Sequence, residues 1–232
     1  MKKLFSLSLV VGILVATMSI APASGTNAQT AGLVSSALNR MERYKHNLKT
    51  LRADITMEKY NSQLRDKEVW SGIVLYIPGA GNASVRLEWN RPQHEILTSE
   101  NGNYQLYQPR KGIVYEGKNN HVNNRGDNDV LSLMSMSATQ LRTRFGEFQD
   151  GREETLWGGV VTTHFKTFPK VAASYKYIEV WIDNEGMPVQ TKMVAKNDDA
   201  TTVRLTNLAK NQTIPSDQFK QNLDSSVKRV KG

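Results

Sequence analysis

Four histidines, His46, His94, His121 and His164, are the first residues to test for chemistry. Imidazole serves both as a metal ligand and as a proton carrier near neutral pH. None of the four stands in a His-x-His or His-Glu-x-x-His arrangement, so a metal site would need convergence of distant segments, and a surface or hydrogen-bonded histidine is expected at each position. The chain has no cysteine, which removes disulfides, thiolate metal sites, a cysteine nucleophile and lipid attachment through an N-terminal cysteine. Gly112-Ile113-Val114-Tyr115-Glu116-Gly117-Lys118 matches most of a phosphate-binding loop pattern. Its central residues are strand formers, however, and Asn119 replaces the hydroxyl that would hold magnesium, so a strand ending in a turn is expected. There is no Gly-x-Ser-x-Gly elbow. The acidic pairs Glu153-Glu154 and Asp198-Asp199 fall in turn-like contexts, where neighbouring side chains point apart and solvation accounts for both. These residues predict neither an enzyme, a cofactor nor a bound metal.

The formal charge of +8 raises the question of nucleic acid. No aromatic-basic interleaving of the kind that stacks bases is present, so nucleic acid is not an expected partner. The basic tail, residues 220–232 with Lys220, Lys228, Arg229 and Lys231, reads either as a solvated surface or as a segment that meets anionic membranes or acidic proteins.

The elements that would position any site belong to one domain: 232 residues with 39% apolar and 22% charged side chains suffice for a single packed core. Met1-Lys2-Lys3 opens the chain, Leu4 to Ile20 carries no charge, and Ala21-Pro22-Ala23 and Thr26-Asn27-Ala28 offer small residues. Residues 1–28 therefore read as a secretory signal cut after Ala23 or Ala28, a reading favoured over a membrane anchor because serines and a threonine dilute the stretch and no positive flank follows. Removing Lys2 and Lys3 lowers the charge from +8 to +6. An exported, soluble, monomeric protein is expected.

Val34, Ala37, Leu38, Met41, Tyr44, Leu48 and Leu51 recur at helical spacing and predict a helix over 31–51. The period then changes to two. Strands are predicted over 53–57, 69–77, 85–89, 95–99, 104–108 and 112–117, with turns at Pro78–Asn82, Asn101-Gly102 and Pro109–Lys111, and a loop over 119–129. Met134, Ala138, Leu141, Phe145 and Phe148 make a second helical stripe over 131–148, divisible near Ser135–Thr139. Further strands are predicted over 155–161, 163–168, 175–182, 188–196 and 201–208, with a hairpin at Asn184-Glu185-Gly186 and a turn at 215–219. The sum is an α+β fold: a strongly curved antiparallel sheet with helices covering its concave face.

Gly72-Ile73-Val74-Leu75-Tyr76-Ile77-Pro78, Val85 to Pro92 and Tyr104 to Pro109, followed by Glu179 to Pro188 and by Thr206-Asn207 through Ile214 to Phe219, resemble the periplasmic outer-membrane lipoprotein carrier family, the LolA-like superfamily. The resemblance spans nearly all of residues 29–219. It implies an incomplete β-barrel whose cavity takes lipoprotein acyl chains, and periplasmic transit from an inner-membrane release complex to an outer-membrane receptor. The absence of cysteine fits the carrier rather than a lipid-anchored receptor. Where many carriers place a basic residue before the proline ending the second strand, this chain reads Tyr76-Ile77-Pro78-Gly79, and Arg86 and Arg91 are the candidates to substitute.

On this reading Val74, Tyr76, Val85, Leu87, Trp89, Ile96, Leu106, Val180, Ile182 and Met193 share the concave face. Leu131, Leu133, Met134, Met136, Leu141 and Phe145 form the cover, in which methionines adapt to varied lipid shapes. The same alternation would arise from an ordinary filled core. Two other functions compete with the carrier: a lipid-binding sensor or regulator of the same fold, and an envelope hydrolase.

Overall fold

The computed structural model describes residues 25–79, 83–118 and 136–232, with side chains from Thr30 onward. Residues 1–24, which hold most of the expected signal, lie outside the described residues, as do Leu131, Leu133, Met134 and His121.

Helix α1 (Gly25–Asn47) is followed by strands β1 (Leu51–Asn61), β2 (Asp66–Ile77), β3 (Ser84–Arg91), β4 (Glu95–Glu100), β5 (Asn103–Gln108) and β6 (Ile113–Lys118). Helix α2 (Ala138–Arg144) then precedes β7 (Phe145–Leu156), β8 (Val160–Pro169), β9 (Tyr175–Asp183), β10 (Pro188–Ala195), β11 (Ala200–Lys210) and β12 (Lys228–Lys231). The twelve strands form one open, curved sheet in the order β12-β6-β5-β4-β3-β2-β1-β11-β10-β9-β8-β7. The α+β class and the helix-bearing curved sheet are as the sequence predicts, except that β12 joins β6 in parallel, which makes the sheet mixed. The expected tail therefore ends in a strand.

The first helix stops short of its predicted end. Asn211 captures the chain beyond β11, its side-chain oxygen accepting from the Lys49 N–H at 2.7 Å while its own N–H donates to the Thr50 carbonyl at 2.9 Å. Leu51 consequently opens β1, opposite Tyr76 and Lys210. Val34, Ala37, Leu38 and Met41 still form the buried stripe.

The second helix is shorter than its stripe. Ser137 caps it, accepting from the Gln140 N–H, while the Gln140 side chain accepts from the Ser137 N–H, a reciprocal arrangement that satisfies two free amides. It ends at Arg144, and Phe145 and Phe148 lie in β7 opposite Pro169 and Thr167. The four residues from Phe145 to Phe148 on β7 thus oppose the three from Pro169 to Thr167 on β8, and this β-bulge returns both aromatic rings to one cluster. The i, i+3 spacing that reads as a helix is produced by a bulged strand. The predicted strand over 155–161 is instead the tip of a hairpin, in which the last residues of β7 and the first of β8 pair across a turn at 157–159, with Gly158 and Gly159 at positive φ.

Candidate functional site

Register across the sheet lines up a single apolar row on the helix-bearing, concave face. Ala53 lies opposite Val74, Val74 opposite Leu87, Leu87 opposite Leu97, Leu97 opposite Leu106, and Leu106 opposite Tyr115. The neighbouring row runs Leu51, Tyr76, Val85, Ser99, Tyr104. Val74, Tyr76, Val85, Leu87, Trp89 and Leu106 are therefore brought together as expected.

Ile96 is not among them. It pairs with Glu88 and Tyr107 on the opposite, convex face, and Leu97 takes its place. Two adjacent apolar residues defeat period-two reading, because alternation alone does not choose which one points inward. Leu97, Tyr104 and Tyr115 join the concave rows without having been singled out, although the alternation Tyr104-Leu106 was a usable signal.

The concave face has two different halves. Beneath α1 and α2, Leu141, Phe145, Val180 and Ile182 pack with Phe165, Ile178 and the α1 stripe into a closed cluster. These four expected lipid contacts are filled core. Met136 is buried at the edge of that cluster, and Met193 packs against both this cluster and the one built around β1–β3. On the β2–β6 half, Leu87 and Trp89 are buried, at 3% and 6% exposure, with Trp89 edge-on to Trp70 at 5.9 Å. Val74, Tyr76, Val85, Leu97, Leu106 and Tyr115 remain half-buried. Burial pushes the Tyr76 hydroxyl above its ordinary pKa, as expected for a phenol set in apolar surroundings.

Arg86 does not serve the concave side. It lies on the convex face, paired with Glu88 at 2.7 Å and donating to the Gln218 carbonyl at 3.2 Å. Arg91 is exposed at the end of β3. The convex face of β3–β5 carries the segment after β11: Gln221 Nε2 donates to the Ile96 and Gln105 carbonyls and to Thr98 Oγ1, each at 3.1 Å, and Phe219 is 2% exposed.

The histidines divide. His46 and His94 lie near Glu42 and Glu88 at the surface. His164 is 2% exposed on the convex side, 2.9 Å from Glu179 and 3.7 Å from Glu154, with its ring 4.3 Å from that of Trp181. Glu154 also accepts from the Trp181 indole at 3.0 Å and lies in β7, so the turn reading of Glu153-Glu154 is replaced by a strand whose second carboxylate is structural. The His164 hydrogen bond, with Lys192 beside it, holds Glu179 below the usual carboxylate range against its burial. Among the described residues no group of three or more His, Asp or Glu side chains is arranged to hold a metal. Within the Gly112–Lys118 segment, Ile113–Lys118 is strand β6, as expected, rather than a phosphate loop.

No protein-family model matches this chain, and no curated protein matches it. Among solved structures, an uncharacterised conserved protein from Thermus thermophilus superposes with a TM-score of 0.55 at 10% identity, over 86% of this chain and 99% of that one. A LolA superfamily protein from Nitrosomonas europaea aligns with a TM-score of 0.42 at 8% identity, over 81% and 97%. The Pseudomonas aeruginosa MucA/MucB complex aligns at 0.49 and 14%, over 81% of this chain and 60% of that one. At 10% identity the likeness to the Thermus thermophilus protein is one of fold alone.

Proposed function

We propose that this protein is an exported binder of acyl chains, with a secretory signal removed after Ala23 or Ala28, and that it carries acylated lipoproteins between membranes of the cell envelope. The observation that carries this reading is the contrast between the two halves of the concave face. One half is filled by α1 and α2, whereas the other presents Val74, Val85, Leu97, Leu106 and the rings of Tyr76 and Tyr115 as a continuous half-buried surface. Each methylene transferred there from water contributes about 0.8 kcal/mol, so such a surface supports binding of an acyl chain without polar recognition.

The test is acyl-probe binding to delipidated protein. Leu106→Glu places a carboxylate in the middle of the row and is expected to weaken binding at least roughly tenfold while thermal unfolding moves little, since burying an unpaired charge is costly only when a ligand seals the site. Unchanged binding in a folded variant contradicts the assignment. At Leu87, which is buried in the core, the same replacement is expected to lower folding stability rather than to report on binding.

A further inference from the structure

The last turn of α2, Met136, the β8–β9 loop from Pro169 to Tyr175 and Met193 of β10 line a half-open cleft of about 420 Å³, within the roughly 300–1,000 Å³ typical of small-molecule sites. Its apolar surface comes from Met136, Met193, Tyr175, Pro169 and the loop residues 171–173, with Thr143 and Ser174 as polar neighbours, and Met193 joins it to both core clusters of the concave side. Two cations stand at its rim, Arg144 and Lys170, both exposed. They are held in place by the backbone: the Lys170 N–H donates to the Arg144 carbonyl at 3.0 Å, and Lys170 Nζ donates to the Arg142 carbonyl at 2.7 Å. The Arg144 guanidinium reaches over Met136, with Nη1 4.0 Å from its sulfur. No aspartate or glutamate lines the cleft among the described residues.

A cleft that sets apolar side chains beside a guanidinium and an ammonium, with no carboxylate to neutralise them, is complementary to a ligand that is apolar along its length and anionic at one end. We infer that this cleft binds a single-chain anionic amphiphile, its acyl chain against Met136, Met193 and Tyr175 and its head group on Arg144 with Lys170 beside it. This assignment rests on the reading of the protein as a binder of acyl chains and adds to the β2–β6 surface a second site at the helix-covered end of the sheet. A free anionic lipid, rather than only the uncharged acyl groups of a lipoprotein, is then a ligand of the protein. Carboxylate and phosphate head groups share the chemistry.

The experiment compares equilibrium binding of palmitate, lysophosphatidylglycerol and uncharged monopalmitoylglycerol to wild-type protein and to the Arg144→Gln/Lys170→Gln double variant. Both positions are exposed, and the thermal midpoint of the variant checks that the fold is retained. Loss of a charge-assisted hydrogen bond predicts roughly tenfold to hundredfold weaker binding of the anionic ligands, with the glycerol ester unchanged. A loss confined to palmitate identifies the carboxylate, and one confined to lysophosphatidylglycerol the phosphate. Equal weakening of all three ligands, or none, overturns the head-group assignment, as does wild-type protein that binds the uncharged ester as tightly as the anions. In that last case acyl binding itself survives. Wild-type protein that binds none of the three overturns the acyl-binding reading as well.

Discussion

At the residue scale, the polar groups of greatest consequence hold the molecule together away from the candidate site. Glu179 has a pKa below its ordinary value because it accepts from His164 and lies beside Lys192. The unfolded chain therefore takes up a proton at Glu179 before the folded one does as pH falls. The stabilisation is complete above the ordinary glutamate value of about 4.5 and is lost as pH falls through the lower folded value. Urea midpoints measured from pH 6 down to pH 3 should consequently fall more steeply for wild type than for Glu179→Gln, which is the less stable protein at pH 6. Parallel curves would show that the pair contributes nothing to acid sensitivity. Gly186 in the β9–β10 turn combines φ of +101° with a position where a Cβ would lie 2.4 Å from the Arg40 backbone of α1. Asp183 completes that turn by accepting from three successive N–H groups, those of Glu185, Gly186 and Met187. Gly186→Ala should cost about 1–3 kcal/mol from backbone strain alone, and more as the hairpin moves off α1, read as a lower denaturant midpoint.

At the element scale, the segment after β11 straps the convex face and delivers β12 to the edge of the sheet. Phe219 is its buried anchor, Arg86 and Gln221 its polar ones. Phe219→Ala should cost about 3–5 kcal/mol and speed amide exchange in β12 and β6 before it does so in β9 or β10. Uniform acceleration throughout the sheet would mean that the strap is not a separable unit. Much of this architecture was legible in the sequence: the α1 stripe, the hairpin at Asn184–Gly186 and the alternation of β1 to β6 each follow from local pattern. The failures have local causes too. The bulge in β7 gives Phe145 and Phe148 a helical spacing on a strand, Ile96-Leu97 conceals the strand's inward face, and β12 pairs in parallel with a strand more than a hundred residues earlier, which local pattern does not encode. Of the site, Val74, Tyr76, Val85 and Leu106 were readable from alternation. That Val180 and Ile182 fill a core while Leu106 stays half-buried depends on where α1 lies, a tertiary fact.

At the scale of the whole molecule, one sheet divides its concave face between a packed core and a half-covered apolar surface, and the proposed carrier function rests on that division. The two halves should respond differently to mutation. Ile182→Ala, in the filled half, should cost about 2–5 kcal/mol and leave acyl affinity within a factor of two or so of wild type, roughly 0.4 kcal/mol. Leu106→Glu should do the reverse. A protein in which stability and affinity fall together at both positions has one continuous core and no separate binding surface. The co-purifying partner separates the competing roles, since a regulator would be recovered in a stable complex with a membrane protein and a carrier with acylated cargo. The most direct measurement is native mass spectrometry of the protein purified from its own cell envelope without added detergent. The account predicts a mass excess that dissociates as lipid or as acylated protein and that Leu106→Glu abolishes. Wild-type protein found consistently at its unliganded mass would contradict it.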